Sequence, residues 1–503
     1  MSHVISIDIG TSGIKVGALN RSGELVFILR KPYELIYPQR GWVEIDANDV
    51  WEKTKDLLHQ VHEKIVSING NVDAIGLSTF CNASVFMDEY GDSLCRGIMY
   101  LDHRSEYESN WIKANIPLEK QNDITRNRIE PGMFSVTTLL WTKWNRPDIW
   151  KNVFKWGHLS TYILHRLTKK FVLDWTQASF SGVFDVINYE WSEELLATIG
   201  IDYDILPKII EPSQGVGVVC DESLPEFLGV HVVAGGADTA CSALAVGIKP
   251  DDVFESVGTS DVLTVCTTET DRFDNRFLNR CHIFKNQWLS HGAMSTPGAS
   301  IKWFLNNFLD TSEFDNVERM ILTSQIGANG LFFLPYMFGE RTPVWDKNAA
   351  GAFVGLSLTT TKADMLRAIL EGCSYGLSEI YEIIRQKYRI TPETVPVVGG
   401  GARNSVWAQM KASVLNVSIA VQEVQETALL GAGLLAGSYA GYFDISENIN
   451  RTSGKTLVTF YPRLQDVEFY AKQIDVYTKI YPALRDIFTL QKATSFEEVM
   501  YHA

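Results

Sequence analysis

Val4-Ile-Ser-Ile-Asp8-Ile-Gly10-Thr-Ser-Gly13-Ile-Lys15-Val-Gly-Ala-Leu19 opens the chain with two apolar runs joined by a turn of Gly, Thr and Ser. Short apolar runs bounded by such residues read as β-strands, and the simplest arrangement of two is a hairpin. Asn20-Arg-Ser-Gly23 turns the chain again before Glu24 to Leu29, giving a three-strand meander. The segment before Asp8 has no basic region and no small-residue cleavage site, so the expectation is a first strand and not a signal peptide. Ala47-Asn-Asp-Val-Trp51 then leads into a helical pattern, with Leu58, Val61 and Ile65 spaced by three and four. Val72 to Leu77 reads as the next buried strand, and Trp141 to Trp144 and Trp156 to Leu167 read as helical.

The opening recurs. Asp252-Val-Phe-Glu-Ser-Val257, the turn Gly258-Thr259-Ser260 and the return run Asp261-Val-Leu-Thr-Val265 repeat strand, Gly-Thr-Ser turn and strand about half of the 503-residue chain later. A duplicated unit follows as the expectation, with the break at the turn residues of Gly247-Ile-Lys-Pro-Asp-Asp252. The expected domains are residues 1–246 and 247–503. Strands alternating with helices argue for α/β architecture, and a chain of this length is expected to divide into two cores with a cleft between them.

Composition narrows the function. With 45 basic and 60 acidic side chains the net charge is −15, and no run of Lys and Arg offers a stripe for a phosphate backbone, so nucleic acid is not an expected partner. The Gly- and Ala-rich stretch from Ala428 to Phe443 is shorter than the ~20 apolar residues that span a bilayer, so no membrane association is expected. Gly431-Ala-Gly-Leu-Leu-Ala-Gly437 within it has the look of a dinucleotide fingerprint, but it follows a helix-like segment, where close helix packing is the better reading. Seven cysteines lie scattered with no Cys-x-x-Cys pair, which indicates neither a zinc site nor a disulfide framework and makes a reducing cytoplasm the expected compartment.

Three glycine-bearing turns could meet a ligand. The two Gly-Thr-Ser turns present backbone N–H groups and hydroxyls together, which suits phosphate oxygens. Asp8, at the end of the first strand, could hold Mg²⁺, through water because that ion gives up its shell reluctantly. Val397-Val-Gly399-Gly400-Gly401-Ala402-Arg403-Asn404 runs from an apolar strand through three glycines into the helical pattern Val406 to Leu415, a place where a ligand can approach the backbone. Asp238 follows Val232-Val-Ala-Gly-Gly-Ala237 at a helix start, where it could be a base for an acceptor hydroxyl or simply an N-cap.

These segments together resemble the FGGY carbohydrate kinases, a family of two actin-like (ribonuclease H-like) domains around an interdomain cleft. Asp8-Ile-Gly-Thr-Ser12 is similar to the family's first phosphate motif, Gly41-Trp-Val-Glu44-Ile-Asp46 to its Gly-Trp-x-Glu-x-Asp segment and Tyr100-Leu-Asp102-His-Arg104 to its Trp-x-Asp-x-Arg. Gly235-Gly-Ala-Asp238-Thr239 resembles the catalytic Gly-Gly-x-Asp-Asn, and Gly258-Thr-Ser260 the second phosphate motif. Gly339-Glu-Arg-Thr-Pro343-Val-Trp-Asp346, with Gly351 to Leu356 and Ala368 to Glu371, is similar to the family's most specific stretch, and Gly399 to Asn404 to its adenosine motif.

The resemblance implies ATP-dependent, Mg²⁺-requiring phosphorylation of a small sugar, D-xylulose to D-xylulose 5-phosphate first, with gluconate or another ketose or polyol as the alternative. It implies Asp238 as base, Asp8 at the metal, and Cys81, Asn82, Asp102, Asp238 and Thr239 at the sugar. Thr11, Ser12, Lys15, Gly258, Thr259, Ser260, Gly298, Lys302, Gly400, Gly401 and Asn404 would meet ATP, and a homodimer is one compatible assembly. An ATP-driven switch of the actin class shares the phosphate turns but not the Gly339–Pro343 stretch or the Asp238 segment. The chain departs from the pattern at Cys81-Asn82, where relatives carry Met-His or Arg-Glu. It departs again at Thr239 in place of Asn, at Thr138 in place of Lys and at Glu255 beside the second phosphate turn.

Overall fold

The computed structural model describes residues 1–310, 316–446 and 455–494. They divide into two compact units, each with a discontinuous chain. The first comprises Met1–Ile248, Asn279–Leu289 and Glu426–Ser453, and the second Lys249–Leu278, Ser290–Gln425 and Gly454–Ala503. Each unit has its own apolar core.

The first unit is built on a six-stranded sheet in the order Gly215–Val218, His231–Ala237, Asn71–Thr79, Ser2–Gly10, Gly13–Leu19, Leu25–Pro32. The opening hairpin and meander form as the alternation of apolar runs and turns dictates: Ser2–Gly10 pairs antiparallel with Gly13–Leu19, which pairs antiparallel with Leu25–Pro32. Ser2–Gly10 and Asn71–Thr79 are parallel, as are Asn71–Thr79 and His231–Ala237. The helix Ala47–Ser67 starts where Asp46 caps it, accepting from the N–H groups of Asn48 and Asp49, and buries Leu57, Leu58, Val61 and Ile65 along one face. The helix Thr427–Tyr439 packs closely on both a helix and the sheet: a Cβ on Gly431 would run into the backbone of Cys241 in the helix Asp238–Val246, and one on the sheet's Gly76 into the carbonyl of Ala432. The glycines of that segment therefore serve helix packing, as their context suggested.

One expected element changes. Trp156 is not helical: Lys155–His158 is a strand paired antiparallel with Ala83–Met87, and the helix begins at Leu159. The indole Nε1–H of Trp156 donates to Ser84 Oγ at 3.2 Å, and its ring is fully buried. Cross-strand pairing of this kind overrides a helical spacing. Trp141–Trp144 does lie in a helix, Ser135–Asn145.

The second unit repeats the plan. Its hairpin Val253–Val257 and Asp261–Thr267 is antiparallel, Val253–Val257 is parallel to Thr394–Val398, Thr394–Val398 is parallel to Ser418–Gln422, and Thr456–Phe460 closes that side antiparallel. In the first unit the same sequence of relations runs from the opening hairpin to Gly215–Val218, which lies antiparallel to His231–Ala237. The two Gly-Thr-Ser turns thus occupy equivalent positions in two copies of one topology.

Candidate active site

The parallel register of the first unit aligns Asp8 with Ser78, and Ser78 with Gly236. The carboxyl ends of three neighbouring strands therefore bring Asp8, the Phe80–Asn82 segment and Asp238 to one edge of the sheet, the edge where open α/β sheets gather ligands. Asp8 is buried; its Oδ1 accepts from Ser78 Oγ at 3.0 Å and its Oδ2 from Lys15 Nζ at 3.3 Å. Burial pushes the carboxyl up to about 6, Lys15 opposes that, and the nearby Asp238 carboxylate adds to it. Lys15 also pairs with Glu426 at 2.7 Å, and Glu426 in turn with Arg30. Burial works against the ammonium, but Asp8 and Glu426 hold it above the ordinary lysine value. At the turn, Thr11 Oγ1 lies 3.3 Å from the Tyr100 hydroxyl, the Tyr33 hydroxyl donates to Gly10 O, and Ser12 is exposed.

Gly235 has φ of 73°, and a Cβ there would collide with the carbonyl of Leu77, so glycine lets this strand run against its neighbour before turning into the helix Asp238–Val246. Asp238 is the first residue of that helix and not its cap, which is Ala237. One carboxylate oxygen accepts from the Thr239 N–H at 2.6 Å and from Thr239 Oγ1 at 3.0 Å. The shorter side chain at 239 thus orients the carboxylate.

Around it lies a polar compartment that the sequence marked only in part. Asn82 is buried and donates through Nδ2 to Met133 O at 2.8 Å and Phe180 O at 3.1 Å, while its Oδ1 has no partner. The Cys81 thiol faces Gln177 O at 3.7 Å. Burial pushes that thiol well up, with Arg280 opposing and Asp238 and Asp174 adding to the rise. Asp174 caps the short helix Trp175–Ala178, and Thr176 Oγ1 accepts from the Ala237 N–H at 2.8 Å, which links the cap to the residue before Asp238. Gln177 donates to Thr79 Oγ1 at 2.7 Å, and its Oε1 lies 3.2 Å from Nδ1 of His158, a ring whose pKa burial lowers to about 4.

Asp102 lies in the next segment, where Tyr100 N–H donates to Asn82 O at 3.0 Å, but its carboxylate is otherwise engaged. It is buried, and its oxygens accept from Val43 N–H at 2.5 Å, Arg104 N–H at 2.8 Å, Arg104 Nε at 2.9 Å and Arg104 Nη2 at 2.8 Å. Those four bonds fill the acceptor positions of the carboxylate. Arg104 in turn pairs with Glu44 and lies 3.7 Å from the Trp42 ring. The Gly41–Asp46 and Tyr100–Arg104 motifs meet here as a framework. Thr138 likewise is framework, its Oγ1 lying 2.6 Å from Ser84 Oγ.

In the second unit, Gly258 and Thr259 are exposed at the hairpin turn, and the Gly258 N–H donates to Ser260 O at 2.8 Å. The helix Pro297–Phe308 begins against this turn: a Cβ on Gly298 would overlap the Gly258 carbonyl, and Ala299 N–H donates to Thr259 O at 3.2 Å. Lys302 is exposed one helical turn on. Arg341 reaches Ser260 Oγ at 3.3 Å, and the buried Glu340 accepts from the N–H groups of Ser295 and Arg341. Burial pushes Glu340 up to about 7. Gly399, with φ of 93°, lets the third turn pass the carbonyl of Val257, a Cβ on Gly400 would meet open space, and Gly401 packs on Val257. Asn404 caps the helix Ser405–Leu415 by accepting from Trp407 N–H at 2.9 Å. Three turns that are far apart in sequence are thus gathered at one end of this unit's sheet.

Glu255 has an explanation that sequence could not supply. Lys411, inside the helix that Asn404 caps, pairs with Glu255 and with Asp261 at 2.6 Å, all three buried. The triad binds both legs of the second Gly-Thr-Ser hairpin to that helix.

Comparison with known proteins agrees with this construction. Residues 3–245 match the N-terminal domain model, and residues 254–440 the C-terminal domain model, of the FGGY family of carbohydrate kinases. A xylulose kinase of Bacillus subtilis is 30% identical over 507 residues, 98% of this chain and 99% of the relative. A gluconokinase of Bacillus licheniformis is 27% identical, over 97% of each chain. Among solved structures, the ligand-bound xylulose kinase of Lactobacillus acidophilus aligns with a TM-score of 0.88 at 24% identity, over 99% of this chain and 100% of the other. The xylulose kinase of Rhodospirillum rubrum aligns with a TM-score of 0.89 at 23% identity, over 97% and 100%. The paired sheets are the actin-like α/β fold of these kinases, and with both halves of the chain matched by the family's two domain models, the protein belongs to the FGGY family of carbohydrate kinases.

Proposed function

We propose that the enzyme transfers the terminal phosphoryl group of ATP to a hydroxyl of an open-chain sugar, with D-xylulose, converted to D-xylulose 5-phosphate, as the first substrate to test. The full-length likeness to xylulose kinases supports the substrate, and gluconate is the second candidate on the likeness to gluconokinases. The observation that carries the reading is the alignment of Asp8, Ser78 and Gly236 across three parallel strands, which sets Asp8 and Asp238 at one sheet edge beside Asn82 and Cys81.

In this reading Asp238 takes the proton of the acceptor hydroxyl, held at one oxygen by Thr239 with the other left for substrate. Asn82 Oδ1 accepts from a sugar hydroxyl. Lys15 and the Thr11–Ser12 turn face phosphate, and Gly258–Ser260, Gly298, Lys302, Gly400, Gly401 and Asn404 hold the nucleotide. Asp8 would hold Mg²⁺, which neutralises phosphate charge when bound. Supporting the fit, Asp8 is a buried carboxylate close enough to Asp238 for the two charges to interact, and Mg²⁺ in kinase sites takes one or two carboxylates and completes its shell with phosphate and water.

The reading also includes a cytoplasmic setting, a homodimer, and residues 1–246 and 247–503 as the main parts of the sugar-binding and nucleotide-binding domains, with Asn279–Leu289 and Glu426–Ser453 joining the first unit. Seven free cysteines accompany the first, and among the described residues no helix is long and apolar enough to cross a membrane. Light scattering on the purified chain tests the second.

A coupled ADP-release assay over ketoses, polyols and sugar acids tests the activity. Asp238→Asn keeps the shape of the side chain but cannot take a proton, so sugar-dependent turnover should fall by about 10²–10⁴ with nucleotide binding retained. A variant that keeps most of its turnover removes Asp238 from the role.

A further inference from the structure

Arg280 is a buried cation with two N–H groups left open, although the buried Asp174 carboxylate lies within its electrostatic reach. It is 4% exposed, its guanidinium carbon lies 4.1 Å from the ring centre of Phe180, and neither Nε nor Nη1 has a hydrogen-bond partner among the described residues. The other well-buried arginine of this unit, Arg104, is met by two carboxylates. Elsewhere Arg276 forks onto Asp274 and Arg146 onto Asp148. Arg280 alone of these is left with open donors.

Its place is as informative as its isolation. Phe180, on which it stacks, offers its carbonyl to Asn82 Nδ2. The Cys81 thiol responds to the charges of Arg280, Asp238 and Asp174 together. Two further polar atoms of this compartment, Asn82 Oδ1 and Asp174 Oδ2, are buried and unpartnered. The backbone beside Arg280 is fixed, since Cys281 N–H donates to Ser179 Oγ at 3.0 Å and the Cys281 thiol to Val186 O at 3.3 Å. A stacked, buried guanidinium costs free energy unless oxygens meet its N–H groups. Asp174 makes no hydrogen bond to these N–H groups, and the oxygens of a ligand would complete their bonding.

We propose that Arg280 is a specificity-determining residue that binds the oxidised end of the acceptor sugar, remote from the hydroxyl that Asp238 serves. A planar fork of N–H groups suits two oxygens on one or adjacent carbons. The carbonyl and neighbouring hydroxyl of a ketose present such a pair, and so does the carboxylate of a sugar acid. A polyol presents only hydroxyls, which accept less strongly. The inference rests on the sugar-kinase reading and deepens it, because it states what the preferred substrates share.

The test compares wild type, Arg280→Gln and Arg280→Lys on D-xylulose, xylitol and gluconate, by ADP release and by the rise in Tm that each compound produces. In Arg280→Gln, kcat/KM on the preferred carbonyl or carboxylate substrate should fall by about 10- to 100-fold, while xylitol changes little and KM for ATP stays at the wild-type value. If the substrate is gluconate, Arg280→Lys should recover much of the loss, because charge suffices for a carboxylate. If it is xylulose, the fork is needed and Lys should recover little. An equal loss on xylitol and xylulose, or an unchanged ranking in both variants, overturns the inference while leaving the kinase reading intact. No turnover by wild type on any sugar refutes the kinase reading instead, and the Tm shifts then decide on Arg280: a shift by xylulose or gluconate that Arg280→Gln abolishes supports it, and one that Arg280→Gln retains overturns it.

Discussion

Lys411→Met would remove the one cation from the buried triad of the second unit, and its cost can be worked from the structure. Lys411 Nζ sits against Glu255 and 2.6 Å from Asp261, its charge also lying 3.9 Å from the centre of the Trp407 ring. Glu255 and Asp261 are fully buried, and beyond Lys411 they face each other across the hairpin. Two carboxylates with one ammonium favour retention of a proton. Burial first, then the Asp261 carboxylate, push Glu255 up to about 8, with Lys411 opposing. Removing Lys411 strands both carboxylates, and breaking a buried pair from one side costs about 3–5 kcal/mol. For a unit of this size that is a fall in Tm of roughly 6–20 °C.

Glu255→Gln provides the contrast, because Gln has the shape of the protonated acid. The native state binds the Glu255 proton more tightly than the unfolded chain, whose glutamate titrates near 4.5. The stability this contributes is therefore complete below the unfolded value and is lost as pH rises through the folded one, at up to about 1.4 kcal/mol per pH unit. Glu255→Gln should match wild type at about pH 4, below the unfolded value, and lose less on going to about pH 8.5. Scanning calorimetry and urea unfolding at both pH values measure this. A loss in Glu255→Gln at the lower pH as large as that in Lys411→Met, or a Lys411→Met cost within about 0.5 kcal/mol of zero, would refute the shared-proton account.

Two further outcomes concern ligands. Gly298→Ala places a Cβ against the carbonyl of Gly258 and must push the helix Pro297–Phe308 off the phosphate turn, so KM for ATP should rise by about tenfold or more with sugar binding unchanged. An unchanged KM for ATP would detach this turn from the nucleotide. Asn82→Ala should lower both stability, by about 1–3 kcal/mol from the stranded carbonyls of Met133 and Phe180, and sugar kcat/KM, by about tenfold. Loss of stability alone would make Asn82 a brace.

What could be read in sequence was whatever recurs locally. The opening hairpin and its second copy were visible because strand alternation and turn chemistry act over a few residues, and the register of the parallel strands then carried Asp8 and Asp238 to one edge with no further information. Trp156 shows the limit of that reasoning, since an apolar spacing fits a helix until a partner strand claims it. Asp102 shows another: a carboxylate within a motif looks like a ligand until the folded chain brings Arg104 and the Val43 N–H onto both its oxygens. The groups missed altogether, Glu426 against Lys15, Lys411 against Glu255 and Arg280 on Phe180, owe their meaning to partners far along the chain. Of these Arg280 was the least visible. In Leu278-Asn-Arg280-Cys-His it is one basic residue in an alternating strand, ordinarily a solvated one, and only its burial with N–H groups left open turns it into a statement about substrate. A buried pair such as Lys411 with its carboxylates is complete within the protein, whereas a buried charge left open is an incomplete interaction, and the missing half defines the chemistry of what binds there.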